Sequence, residues 1–277
     1  MSATKLYENL KNESPLSSGN ESIDDVLGGG FFPFLTHFIW CPKAVYSNLL
    51  MDIAIQYLLP AVEGGKGGNR RKIHYFDVAM PYPGLSSLHR FNPFYLAKQA
   101  SHFEMGLGYI LERIIISRIS SRTHYYLELE KSINRSNEIS GIFLNGVSPY
   151  FRKEDKGQII HLLNQFAGNR EEKQYLIATA GNSRCNLEYD RMRGKCISRF
   201  FDVFLLIKKF PHFIELSLKK HPLFPETKQR IWKDVKMFDT SHKVPKKKTI
   251  QKKLSDITFH KQNISKNLGG TKRGKRH

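Results

Sequence analysis

The feature that most constrains this chain is an alternation: short runs of β-forming residues are separated by stretches whose apolar positions recur at helical spacing. FLTHFIW (Phe34 to Trp40) is followed by NLLMDIAIQYLLP, which ends at Pro60, and then, beyond the glycine-rich turn EGGKGGNRR, by KIHYFDVAM. RIIISRI (Arg113 to Ile119), GIFLNGV (Gly141 to Val147) and QYLIATA (Gln174 to Ala180) continue the series. The intervening helical segments are Leu96 to Leu111, Tyr125 to Ile133 and Gln158 to Ala167. Strands joined through helices need crossover connections, and such connections build a parallel sheet covered on both faces. RIIISRI reads as a strand buried on both sides. RFFDVFLLIKK (Arg199 to Lys209) and HFIELSLKK (His212 to Lys220) read as an antiparallel hairpin that closes the sheet. Ahead of the series, SSGNESIDDVLGGG combines a capping serine, a short helix with Ile23, Val26 and Leu27 on one side, and a triple-glycine stop. The expected class is therefore α/β, with a mostly parallel sheet, helices on both faces and a C-terminal antiparallel hairpin.

A length of 277 residues suits one such core with tails. The expected organisation is a polar arm over 1–14, the α/β domain over 15–242 and a disordered basic tail over 243–277. That tail holds twelve Lys or Arg against the single acid Asp256, so it carries +11 of a formal +19. A charge of this size suits a polyanion, either nucleic acid or an anionic surface. No apolar run approaches the roughly 20 residues of a membrane span, the N-terminus lacks a signal-peptide core, and no lipidation motif accompanies the basic tail. No membrane partner is expected. Cys41, Cys185 and Cys196 are widely spaced, which indicates neither a disulfide framework nor a zinc site.

Four strings in order, SSGNESIDDVLGGG, LLPAVEGGKGGNRRKIHYFD, IFLNGVSPYFR and KKHPLFPE, resemble the RecA-like recombinase superfamily, in particular the archaeal and eukaryotic recombinase branch and its paralogues. The resemblance runs from about Ser17 to Asp234. It implies a RecA-like fold, and it makes departures from the family's nucleotide site informative. A phosphate-binding loop needs glycines so that backbone N–H groups can curl round phosphates, a lysine for the terminal phosphates and a Ser or Thr for magnesium. Aligned from LGGG, the stretch CPKAVYSN puts Cys41, Ala44 and Tyr46 at the glycine positions, Ser47 at the lysine and Asn48 at the magnesium ligand. Lys43 is no substitute, because Tyr46 sets a bulky side chain where backbone must approach phosphate. Ala79 stands where the family carries the water-activating glutamate, although Asp77 is kept, and Asn145 stands for the Walker B aspartate. Ala180 and Gly181 replace a polar pair that senses the γ-phosphate. EGGKGGNRR lacks GK[ST] and precedes a strand rather than a helix, so it is read as a turn. The resemblance with these losses implies no hydrolysis, no catalytic residue, no bound cofactor and no metal.

Two loops bind DNA in the family. The first is shortened here to RKEDKGQ, Arg152 to Gln158. The second corresponds to NSRCNLEYDRMRGK, with Arg184, Arg191, Arg193 and Lys195 for phosphates and Tyr189 for stacking on a single strand. The tail adds Lys246, Lys247, Lys248, Lys252, Lys253, Lys272, Arg273, Lys275 and Arg276, a set that binds phosphates without reading sequence and also resembles a nuclear import signal. Phe31 and Phe32 are the candidates for an exposed partner surface. HPLFPE, with Pro222 and Glu226, aligns with the family's cap over a neighbouring subunit's nucleotide. No separate N-terminal helical DNA-binding domain is read in the sequence, which fits an accessory paralogue.

The leading expectation is a non-hydrolysing recombinase paralogue in DNA repair. It would bind single-stranded or branched DNA and recombinase-family subunits in a hetero-oligomer, and help a recombinase filament assemble during homologous recombination. That is similar to what Shu-type mediator complexes do, and it implies nuclear localisation in a eukaryotic cell, or chromosome association in the cytoplasm otherwise. Two alternatives remain: a scaffold associated with RNA or chromatin that binds through its tail, and an ATPase with a noncanonical loop.

Overall fold

The computed structural model describes residues 8, 13–59, 72–78, 91–147, 156–168, 174–180 and 201–232, all within a compact unit spanning Met1–Met237. Among them, eight strands form one sheet: β1 (Thr36–Trp40), β2 (Lys72–Val78), β3 (Ile114–Ile119), β4 (Ile139–Asn145), β5 (Tyr175–Ala180), β6 (Val203–Lys209), β7 (Phe213–Lys220) and β8 (Thr227–Trp232). Their order is β3-β2-β4-β5-β1-β6-β7-β8. The pairings from β3 through β6 are parallel, and β6-β7-β8 is an antiparallel meander. The helices are α1 (Glu21–Leu27), α2 (Lys43–Leu58), α3 (Pro93–His102), α4 (Leu107–Leu111), α5 (Arg122–Asn134) and α6 (Lys156–Gly168). No helix among the described residues is long and apolar enough to cross a membrane.

The central strands are buried along their whole length, as continuous apolar text requires in a sheet covered on both sides. Helix α2 packs on β4 and β5 beside α3, while α5 packs on β3 and β4 beside α6. Phe38, Phe76, Tyr125, Ile142, Phe166 and Phe204 belong to one continuous apolar cluster. Helix α1 lies against β7 and β8. Its cap is Asn20, whose side chain accepts from the Ile23 N–H at 3.1 Å, rather than the expected serine. Ser17 and Ser18 instead bind the Asp24 carboxylate, through a hydroxyl at 2.6 Å and a backbone N–H at 2.7 Å. Gly28 ends the helix in the left-handed region, φ 76°.

Two sequence expectations need correction and one is extended. The segment from Leu96 to Leu111 is two helices: the chain turns at Phe103–Gly106, with Glu104 at φ 53°. β3 is an edge strand rather than one buried on both faces, and Ile116 is 40% exposed. The expected antiparallel hairpin is present as β6 and β7, and a third strand that the sequence did not announce, β8, follows directly on HPLFPE and extends it into a meander.

Candidate functional site

Ligands of open α/β sheets bind beyond the carboxyl ends of parallel strands, where strand order reverses. That place lies beyond β1, which has β5 on one side and β6 on the other. β1 ends at Trp40, and the N–H of the buried Cys41 donates to Ala180 O at 2.9 Å, prolonging the β1–β5 ladder. Pro42 is the N-cap of α2, with φ −55° and ψ 141° and no side-chain capping bond, and the helix starts at Lys43. Cys41 and Pro42 are therefore the whole connection between β1 and α2. Ala44, Tyr46, Ser47 and Asn48 all lie within the helix. A backbone cradle for phosphate alternates right- and left-handed residues. Among the described residues, positive φ outside glycine occurs at Phe34 and Glu104, neither of them in this stretch.

Asp77, the next-to-last residue of β2, and Asn145, the last of β4, stand side by side in register, both 1% exposed. Asp77 accepts from the Phe91 N–H at 3.3 Å and stands 3.9 Å from the Arg118 guanidinium, which is itself mostly in solvent. Thr179, the residue before Ala180 on β5, ties β5 to β4. Its carbonyl accepts from the Val147 N–H at 2.9 Å, and its hydroxyl accepts from the Gly146 N–H at 3.3 Å and reaches Asn145 Oδ1 at 3.5 Å. A neutral amide suits a position already facing one buried carboxylate, because a second carboxylate there would place like charges together in a dry setting.

The sequence expectations on the neighbouring segments fall unevenly. Ala180 is buried at the end of β5. Of RKEDKGQ, Lys156, Gly157 and Gln158 belong to α6, so this loop is shorter still than the sequence suggests. Ala79, Gly181, Tyr189, Arg184, Arg191, Arg193 and Lys195 lie outside the described residues, as do Lys246, Lys247, Lys248, Lys252, Lys253, Lys272, Arg273, Lys275 and Arg276.

Phe31 and Phe32 do not form an exposed surface: they are 0% and 6% exposed. The N-terminal segment covers Phe31, where Leu16 and Phe31 exchange backbone hydrogen bonds at 2.7 and 2.8 Å. Phe31 also packs edge-on against His37 at 5.1 Å, and Phe32 faces His221 at 6.3 Å. The FFPF and HPLFPE segments thus pack on each other, an association that neither string discloses alone. Nδ1 of His221 accepts from the Leu223 and Phe224 N–H groups at 3.0 and 3.2 Å and shapes the turn. Burial lowers the His221 pKa to about 4. Burial, with the charge of His221 as a second cause, lowers that of His37 to about 3. Asp202, which accepts from both the N–H and the hydroxyl of Thr36 at 2.9 Å, fastens β6 to β1 beneath this turn. Pro222 and Glu226 are exposed, and Glu226 pairs with Lys219 at 3.7 Å.

Thr179, His37 and His221 were not singled out as interacting groups from the sequence. Their partners lie on other strands, and no local spacing reports such contacts.

No family model matches the sequence. The crystal structure of the RadB recombinase is similar to this chain, with a TM-score of 0.55 and 18% identity, over 78% of this chain and 94% of that one. At this identity the likeness concerns the fold, and the fold is RecA-like: a mostly parallel sheet ending in an antiparallel meander.

Proposed function

We propose that this chain is a non-hydrolysing recombinase paralogue, which binds DNA and related subunits and assists a recombinase during homologous recombination and repair. The observation that carries the reading is the connection from β1 to α2, only Cys41 and Pro42 long. A loop of that length cannot wrap a triphosphate, and Ala44, Tyr46, Ser47 and Asn48, aligned with the rest of the cradle, are spent on helix. Asn145 supports the same reading, since it offers no charge to steady a metal through its water shell.

Without hydrolysis to drive a cycle, the chain acts by binding. The basic tail and the loop with Arg191 supply phosphate contacts of the sequence-independent kind. Pro222 and Glu226, both exposed, are the surface offered to a neighbouring subunit. Such work takes place at the chromosome, in the nucleus if the cell has one.

Purification from native cells, followed by identification of stoichiometric companions, tests the role. Recombinase-family subunits are expected; RNA-processing or chromatin proteins alone would overturn it. A thermal shift with millimolar Mg-ATP tests the lost site, because a ligand of the folded state raises stability by RT ln(1 + [L]/Kd). No saturable shift is expected from the isolated chain.

A further inference from the structure

We propose that the outward face of the β6–β8 meander is a stacking platform for single-stranded nucleic acid, built around Trp232, Phe213 and Arg230. It shares a partner class with the function proposed above but uses none of the same residues.

In the antiparallel register, Phe213 stands opposite Trp232, Glu215 opposite Arg230, and Ser217 opposite Lys228. These side chains share one face of the sheet, because registered partners project to the same side. The neighbouring residues Ile214, Leu216 and Leu218 point the other way and are buried. Phe210 and Phe213 stack at 4.5 Å, Phe213 and Trp232 lie 5.5 Å apart, and the Arg230 guanidinium sits 5.2 Å over the Phe213 ring. Trp232 is 61% exposed at the sheet's outer edge.

The charge on this face selects the occupant. Lys228 and Arg230 hold Glu215 at 2.9 and 3.6 Å while remaining more than half exposed, and Lys208 faces Glu215 from β6. Three cations thus gather round one carboxylate beside the exposed Trp232 ring, with Phe210 and Phe213 half-buried next to it, a combination that can track a phosphate backbone while a base stacks on the indole. Cations on an edge strand also discourage strand addition, so the face rather than the open edge is the contact. The sequence beyond Trp232 runs on into the lysine-rich tail, so phosphates held at Trp232 lie close along the chain to a second store of positive charge.

The full chain has two tryptophans, Trp40 at 3% exposure and Trp232 at 61%, so intrinsic fluorescence changes on binding report Trp232. Titration with an oligo-dT and with an abasic oligonucleotide of equal length separates base stacking from phosphate binding. Quenching by oligo-dT well beyond that by the abasic strand is expected. Read by anisotropy of end-labelled strands, which needs no tryptophan, Trp232→Ala should weaken oligo-dT binding roughly tenfold, leave abasic binding unchanged and be rescued by Trp232→Phe. Three results overturn the platform. Equal binding of both strands without quenching leaves the DNA-binding function standing on loop and tail. No binding of either strand removes both readings. An emission shift with rising protein concentration, or with a recombinase subunit but not with oligo-dT, puts a protein on this face.

Discussion

The Phe224 ring fills the space that a side chain on Gly28 would need: a Cβ there would lie 2.2 Å from Phe224 Cε2, and Gly28 itself sits at φ 76°. The end of α1 is thereby locked to the turn that His221 shapes. Gly28→Ala should cost about 2–4 kcal/mol, from left-handed strain plus overpacking. In urea melts, the penalty should shrink when Phe224→Ala is added. Simple additivity of the two would mean that the contact does not exist.

Asn145→Asp should fail to recover ATP binding, because the connection of Cys41 and Pro42 is unchanged by it. The variant should lose about 2–4 kcal/mol at pH 8, with two carboxylates then buried in register. Much of that loss should return near pH 5, where one of the pair can hold a proton. Nucleotide-dependent stabilisation of this variant in a thermal shift would contradict the expectation.

Acid should destabilise the domain through its buried histidines. His74 is sandwiched between the hydroxyls of Ser132 at 2.6 Å and Ser117 at 2.7 Å, and burial lowers its pKa to about 4. His37 is lowered to about 3. In both cases the unfolded chain, with a histidine pKa near 6.5, binds the proton first. Their contribution is therefore fully present above pH 6.5 and is lost as pH falls towards 4, at about 1.4 kcal/mol per pH unit from each. His74→Gln should flatten the dependence of the urea midpoint between pH 6.5 and 4.5 by one histidine's share. An unchanged slope would contradict the burial of His74.

Asp52 works in the opposite sense. The Tyr95 hydroxyl donates to both its carboxylate oxygens, at 2.7 and 2.9 Å, yet burial outweighs these bonds and raises the Asp52 pKa from 3.8 to about 6. The folded state thus binds the proton more tightly than the unfolded one. The Asp52 contribution to stability is therefore fully present below pH 3.8 and is lost as pH rises through 6. Asp52→Asn keeps an acceptor for Tyr95 and removes the buried charge, so at pH 8 it should stabilise the chain by about 1–3 kcal/mol. The gain should vanish at pH 4, as thermal melts at the two values would show.

Much of the core was legible because periodicity is a local property. β1, β2, β4 and β5 are runs of β-formers whose neighbours in sequence suffice to identify them, and α5 and α6 emerge within a few residues of the expected bounds. β8 was missed because TKQRIW is polar and lacks a hairpin signal before it. An edge strand whose residues mostly meet solvent has no need of an apolar pattern. The break between α3 and α4 was hidden because the apolar spacing runs through the turn at Glu104.

The departures from the family's nucleotide-site pattern, Tyr46 and Asn145 among them, were visible in the sequence because they are matters of residue identity. How far α2 extends was not: the sequence expectation began the helix at Asn48, and it begins at Lys43. Helix propensity is a weak prior, and packing of α2 against β4 and β5 adds what local sequence does not report.

The sequence by itself determined the order and type of the central elements, the charge of the tail and which residues stand at the positions aligned with the family's phosphate loop, all of which depend on residue identity or on spacing of a few positions. Only the tertiary structure decided that Phe31 and Phe32 are covered, that Asp77 and Asn145 stand in register, and that Trp232, Phe213 and Arg230 share one face of the sheet. Those outcomes depend on which strands become neighbours and on what lies over each ring, and burial is set by contacts across the sheet rather than along the chain.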